Sequence, residues 1–320
     1  MIHKPFKIPL HVQQLQAVSV RLRPGPIYEE IQEKLKKYMA GCNGERSIDY
    51  PISFLPNHEY HILHDLRLFD GQHYFQVDCL ILHPAFITLL EVKNIAGTIT
   101  IDNLLNQLAR EIDQNQDVFD DPISQAENLK NQLIVWLSRR CGLSIPVIEF
   151  VVFTSSNAFL QITNPDDPSV QKIVRPANLI KRIVQSRSRF PAGITNKELR
   201  SLSKKLIKNH HPRKADLFRS GLMTPDDIIH GVMCPYCGRI PMQRQKKTWF
   251  CTNCGKKSMT AHIAALHDYY LIFGSEITNK GCRKFLRLDS GSSANYILKS
   301  MKLKFSGENR ARVYYLDFEE

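Results

Sequence analysis

Three apolar runs stand almost end to end between Tyr60 and Asn94: YHILHDLRLF, HYFQVDCLIL and FITLLEVKN, separated only by DGQ and HPA. Runs of this length, rich in Val, Ile, Leu and Phe and bounded by turn formers, read as three successive β-strands. GTITID (97–102) continues as a strand, and residues 103–117 fit either a hairpin or a helix. From Ser124 to Arg140 the apolar spacing is helical, and PVIEFVVFT (146–154) is a further buried strand. Upstream, IYEEIQEKLKKYM (27–39) places Ile27, Ile31, Leu35 and Tyr38 near helical spacing. GCNGERSIDYPISFL follows as a short helix that Pro51 must end or kink. Strands, then a helix, then another apolar strand predict a mixed α/β sheet with helices on its faces. Residues 176–210 are helical and basic.

Charges interrupt those strands. Asp78, Glu91 and Lys93 sit in runs that are otherwise apolar, and burying charge is costly unless it is paired or holds a metal. If the strands on either side of HPA are antiparallel, Asp78 falls beside residue 90 or 91, so the two carboxylates converge. Glu91 and Lys93, two apart, leave the same face of their strand. Two readings follow: a structural salt bridge within the sheet, or an active site. Two carboxylates and an ammonium at one place suit magnesium-assisted phosphodiester hydrolysis. Oxygen ligands hold the hard cation, and the lysine orients or deprotonates water.

The order NGE (43–45), VD (77–78), EVKNIAG (91–97) and DPISQAENLKNQL (121–133) resembles the NERD, or nuclease-related, domain of the PD-(D/E)XK restriction-endonuclease-like superfamily. The resemblance covers residues 24–155. It implies a restriction-endonuclease-like mixed sheet flanked by helices. Gly44-Glu45 matches the family's Gly-Glu on an N-terminal helix, making Glu45 a further metal or water ligand. Asp78 matches the metal-binding aspartate, Glu91 and Lys93 match the Glu-x-Lys element, and Gly97 follows it. Gln125 matches a helix glutamine after an Asn-Pro pair, where this chain has Asp121-Pro122. The structural alternatives are a helix cap or salt bridge for Glu45 and a helix-surface amide for Gln125.

Of the eight cysteines, Cys42, Cys79, Cys141 and Cys282 are scattered, while Cys234, Cys237, Cys251 and Cys254 form C-x2-C-x13-C-x2-C. That distribution is no disulfide framework, and it points to a reducing cytoplasm. The cluster predicts a zinc ribbon: each pair is followed by a glycine (Gly238, Gly255) suited to the left-handed position, and RIPMQRQKKTWF forms a hairpin. Four thiolates make a closed, structural zinc site. Arg239, Arg244, Lys246, Lys247, Lys256 and Lys257 surround Trp249 and Phe250. Those aromatics either stack on bases or form the ribbon's small core.

Beyond the ribbon, AHIAALHDYYLIF, TNKGCRKFLRL with Thr278 as its cap, and a stretch from Ser292 read as three helices. KLKFSGENRARVYYLDF reads as a basic hairpin. Three helices and a wing predict a winged-helix-like or helix-turn-helix module. Ser293, Asn295 and Tyr296 would then face a groove and Arg310 and Arg312 would touch phosphate, unless the module is structural or binds a protein.

Net charge is +12 and the pI about 9.3, so an anionic partner is favoured, nucleic acid or an anionic surface. The nuclease resemblance favours DNA as the nucleic acid, with an RNA-directed role through the ribbon left open. There is no secretory signal, no apolar run long enough for a membrane helix and no Walker-type phosphate loop, so neither membrane insertion nor intrinsic ATPase activity is expected. The expected organisation is a nuclease-like domain (24–155), a basic helical extension (156–231), a zinc ribbon (232–258) and the C-terminal module (259–320). The expected function is a cytoplasmic magnesium- or manganese-dependent nuclease or DNA-processing protein. The alternative is a non-catalytic nucleic-acid-binding or regulatory protein that retains the fold.

Overall fold

The computed structural model describes residues 1–113, 115–219 and 221–318, with Arg310 by its backbone alone. Two compact units emerge. Unit 1 holds Met1–Pro9 and Lys37–Arg213, and unit 2 holds Leu10–Lys36 and Lys214–Glu320. The chain opens with strand β1 (Ile2–Lys4) and helices α1 (Leu10–Ser19) and α2 (Pro26–Ser47), the division between units falling inside α2. Helix α2 runs eight residues past the expected end at residue 39, because Cys42 extends the buried stripe of Ile31 and Leu35. Pro51 lies within the one-turn helix α3 (Asp49–Ile52) that follows.

Unit 1 is built on a mixed sheet. The three runs form β2 (His61–Phe69), β3 (Tyr74–His83) and β4 (Phe86–Lys93), each antiparallel to the next. β5 (Gly97–Asp102), β6 (Gln107–Ile112) and β7 (Asn115–Asp120) form an antiparallel meander, so the described residues between 103 and 117 take the strand rather than the helix alternative. Helix α4 (Pro122–Cys141) then crosses back to β8 (Val147–Phe153), which lies parallel to β4. β9 (Ala158–Ile162) joins β5, and β10 (Ile173–Val174) joins β8. The resulting orders are β1-β2-β3-β4-β8-β10 for the main sheet and β7-β6-β5-β9 for the second. The basic stretch is two helices, α5 (Pro176–Arg187) and α6 (Asn196–Lys208).

Both faces of the main sheet are covered, which is why its strands read as nearly continuous apolar runs. One face packs Leu63, Leu80, Leu89 and Val151 against α4 (Ile123, Ala126, Leu133, Trp136) and α6 (Leu199, Leu202, Leu206). The other packs Ile62, Ile81, Leu90 and Val152 against Ile48, Ile52 and α5 (Leu179, Ile183). This is the mixed α/β sheet flanked by helices that the pattern predicts.

In unit 2 the cysteine ribbon is a small sheet of β11 (Gln243–Gln245), β12 (Thr248–Phe250) and β13 (Lys257–Ser258). After it come α7 (Ala261–Phe273), β14 (Glu276–Thr278), α8 (Asn279–Leu286), α9 (Gly291–Ser300), β15 (Lys304–Ser306) and β16 (Val313–Tyr315). The order helix–strand–helix–helix–hairpin, with β14-β16-β15 as its sheet, is that of a winged helix. The Thr278 hydroxyl caps α8 and Ser290 caps α9. Arg21, just after α1, is fully buried. It bonds Asp268 of α7 (Nε–Oδ2 2.9 Å) and the carbonyls of Ile229 and Gly231. Ribbon and winged helix are thereby tied together: Gly231 N–H donates to the Phe285 carbonyl, and Trp249 Nε1 donates to His262 Nδ1 at 3.1 Å. Among the described residues no helix is long and apolar enough to cross a membrane.

Candidate functional site

The charges of the sheet meet where the end of β4 reaches the middle of β3 and β2. The register Cys79↔Leu90, carried one step on, sets Asp78 opposite Glu91. Asp78 also takes over part of the ladder, its Oδ2 accepting from the Val92 N–H at 2.8 Å. On the other side, the pairs His64↔Cys79 and Leu66↔Val77 leave Asp65 opposite Asp78. Asp65 has φ +48, so the ladder breaks there, and its Oδ1 accepts from Gln76. Lys93 Nζ, on the Glu91 face, donates to Glu91 Oε1 and to Gln125 Oε1, each at 2.7 Å.

Two helices complete this constellation. Gly44 lets α2 touch the end of β4: a Cβ there would sit 2.4 Å from the Asn94 Cβ and 3.1 Å from Thr154 Oγ1. That approach brings Glu45 within electrostatic reach of Asp65 and Glu91. On the other face, Asp121 caps α4 through the N–H groups of Ile123 and Ser124, with Pro122 in the first turn. Aspartate caps as well as asparagine does, so Asp121-Pro122 in place of Asn-Pro still fixes the turn that aims Gln125 at Lys93. Gly97, with φ +103, would clash through a Cβ with the Glu111 carbonyl at 2.5 Å, so only glycine suits the step from β4 into β5.

Electrostatically the site is crowded with negative charge. Burial, then Asp65 and Glu91, lift the Glu45 carboxyl from 4.5 to about 8, against the pull of Lys4. Burial together with Glu91 and Glu45 holds Asp78 well above the usual carboxylate range, and burial raises Asp65. Glu45 Oε2 is buried without a hydrogen-bond partner. An orphaned carboxylate oxygen among raised carboxyls is the donor set a hard divalent cation compensates. The described geometry is not a finished cage. Among the described residues only the four cysteines form a group whose ligand atoms all lie within 4.8 Å, so Glu45, Asp78 and Glu91 stand further apart. The sequence pattern brings Glu45, Asp78, Glu91, Lys93 and Gln125 to one place and misses Asp65, although it too is an aspartate in an apolar run.

The four cysteines are a second site. Cys234 and Cys254 Sγ are 3.6 Å apart, as are those of Cys237 and Cys251. Four thiolates at about 2.3 Å from a central zinc would be separated by roughly 3.8 Å, so the group fits a tetrahedral ion. The two knuckles match. Gly238 N–H donates to the Cys234 carbonyl and Gly255 N–H to that of Cys251, with φ of +70 and +69. The Arg239 N–H donates to the Cys237 sulfur and is the first cause holding that thiol down, at about 6.

The surroundings decide between the two readings of Trp249. Trp249 is fully buried and hydrogen-bonded to His262, so it is the ribbon's core and offers no face to a base. The Asn295 amide oxygen is engaged by Tyr314 Oη at 3.2 Å. Tyr296 and Phe305 are more than half exposed, and Arg312 stacks over Phe305 at 4.5 Å. The side chain of Arg310 lies outside the described residues.

The site thus sits on a helix-flanked mixed α/β sheet, with a row of carboxyls and the Glu91–Lys93 pair. Residues 40–154, which carry Glu45, Asp78, Glu91, Lys93 and Gln125, match the family model of the nuclease-related domain, NERD. No curated protein and no solved structure matches the chain.

Proposed function

We propose that this protein is a metal-dependent nuclease or DNA-processing enzyme that hydrolyses phosphodiester bonds, with the acidic cluster where the end of β4 meets β3 and β2 as its active site. The observation that carries this reading is Lys93, held between Glu91 and Gln125 at 2.7 Å beside two carboxyls, Glu45 and Asp78, that burial and mutual repulsion raise above the usual carboxylate range. A structural ion pair needs neither the extra carboxylates nor the glutamine.

In this reading Asp78 and Glu91, with Glu45, would hold magnesium or manganese. Such an ion supplies charge neutralisation at the phosphate and favours hydroxide over water. Asp78 is pre-set by the Val92 N–H. Gln125 orients the Lys93 ammonium, which donates toward the attacking water or the phosphate oxygen. The zinc we assign to the four cysteines is structural, because four protein ligands leave no open position.

The nucleic-acid surface is assigned to unit 2. Residues 232–312 hold 15 of the 43 Lys and Arg but only 4 of the 31 Asp and Glu. Of those four, Asp268 is ion-paired with Arg21. DNA is the favoured partner, and a reducing cytoplasm the favoured location. One observation favours the non-catalytic alternative: the closed Lys93–Glu91 pair, which a silent sheet would also contain. Incubation with circular and linear DNA, with and without magnesium or manganese, separates the two. Metal-dependent cutting supports the enzyme, and binding without cutting under every metal supports the alternative.

A further inference from the structure

Beside Lys93 the sheet edge opens into a cavity of about 330 Å3, lined by Lys93, Gln125, Leu108, Val118, Phe119 and Asp120. Its walls divide by chemistry. Lys93 and Gln125 belong to the candidate active site, whereas Leu108, Val118 and Phe119 come from the β6–β7 hairpin. That hairpin is the outer edge of the second sheet. Leu108 is buried and lies directly across from Phe119, so the ring rests on a packed floor. The Arg110 guanidinium, ion-paired with Asp117, stands 5.7 Å from the ring centroid. Phe119 nevertheless remains 41% exposed and Val118 64%. An aromatic on a packed floor, left open to water beside the Lys93 ammonium, is a surface suited to an apolar ligand face.

We propose that this cavity is a base subsite: it takes one unstacked nucleobase, laid against Phe119, of a strand whose adjoining phosphate lies at Lys93. The inference rests on the nuclease reading and adds the substrate class, single-stranded or unpaired nucleic acid. The charge pattern sets the orientation. Asp120 at the rim repels a phosphate, so the backbone passes on the Lys93 side and the base turns toward Phe119. A cavity of this size is at the small end of ligand pockets, about 300–1,000 Å3, and suits one planar ring system rather than a base pair. A base inside a duplex has both faces covered by its neighbours. Only an unpaired or extruded base can offer a face to the ring.

The test uses the full chain and a single-stranded oligonucleotide carrying 2-aminopurine, whose fluorescence is quenched by stacking. Without added divalent metal, the wild type should quench the probe, Phe119→Ala should lose a large part of that quench, and Phe119→Tyr should restore it. With magnesium, single strands should be cut faster than duplex. Phe119→Ala should lower kcat/KM on single strands roughly tenfold or more, as expected for one stacked base. Quenching unchanged in Phe119→Ala, or duplex cut as fast as single strands, overturns the subsite. A wild type that cuts nothing under any metal defeats the nuclease reading instead, and the quench then decides the base subsite alone.

Discussion

Replacing Glu45 by glutamine isolates the electrostatic tension of the candidate site. The folded protein raises this carboxyl from 4.5 to about 8, through burial first and then Asp65 and Glu91. A raised carboxyl stabilises nothing when ionised. Below pH 4.5 it is protonated in both states and costs nothing. Between 4.5 and about 8 the unfolded chain releases the proton while the folded chain keeps it, so stability falls as pH rises, and the loss is complete above the folded value. At 1.36 kcal/mol per pKa unit the full loss is about 3–5 kcal/mol, a large share of a typical domain's stability. Glu45→Gln keeps the shape and removes the charge. Metal-free, it should match the wild type near pH 5 and exceed it by about 3–5 kcal/mol near pH 8.5. Saturating magnesium should close that gap by stabilising the wild type alone. The chain has two tryptophans, Trp136 in the unit 1 core and Trp249 in the ribbon, so urea unfolding of unit 1 can be followed by Trp136 fluorescence in a Trp249→Phe background. A stability difference that stays flat from pH 5 to 8.5 would refute the electrostatic account of the site.

Three further outcomes follow from the same geometry. Elemental analysis should find about one zinc per chain, and Cys237→Ser should lose the metal and unfold the ribbon, since structural zinc binding is folding energy. Arg21→Ala should destabilise unit 2 by about 3–5 kcal/mol in chemical denaturation, because it leaves the mostly buried Asp268 without its partner. Nucleic-acid affinity should fall linearly on a log–log plot against salt, and the pair Lys256→Glu with Lys257→Glu should weaken binding while making that slope shallower.

How much could be read from the residues depended on burial. β2, β3, β4 and β8 are legible because both faces of the main sheet are covered, leaving long apolar runs. β7 is exposed almost throughout, so residues 103–117 carry no period that separates hairpin from helix. β14 is three residues long, and β1 pairs with a strand some sixty residues away. Neither length nor pattern announces such elements. In the site, Asp78, Glu91 and Lys93 stood out as charges within apolar strands. Asp65 obeys the same logic, but His64 and Arg67 beside it make that stretch look like an ordinary polar edge. Trp249 was ambiguous because a ribbon of few residues must spend its largest side chain on a core, and composition cannot tell that from a stacking platform. The joining of residues 10–36 to residues 214–320 in one unit is a long-range association that local patterns do not encode.

The most direct measurement is DNA cleavage by the wild type, Asp78→Asn and Lys93→Met side by side, with thermal stability recorded with and without magnesium. The account predicts that the wild type cuts only with metal and that both variants fail to cut. It also predicts that metal-free Asp78→Asn is at least as stable as the wild type, because a repelling carboxyl has been removed, and that Lys93→Met is still stabilised by magnesium. Strong destabilisation of both variants, with magnesium never stabilising the wild type and no cleavage by any form, would contradict it and leave the row of charges a salt bridge within a sheet.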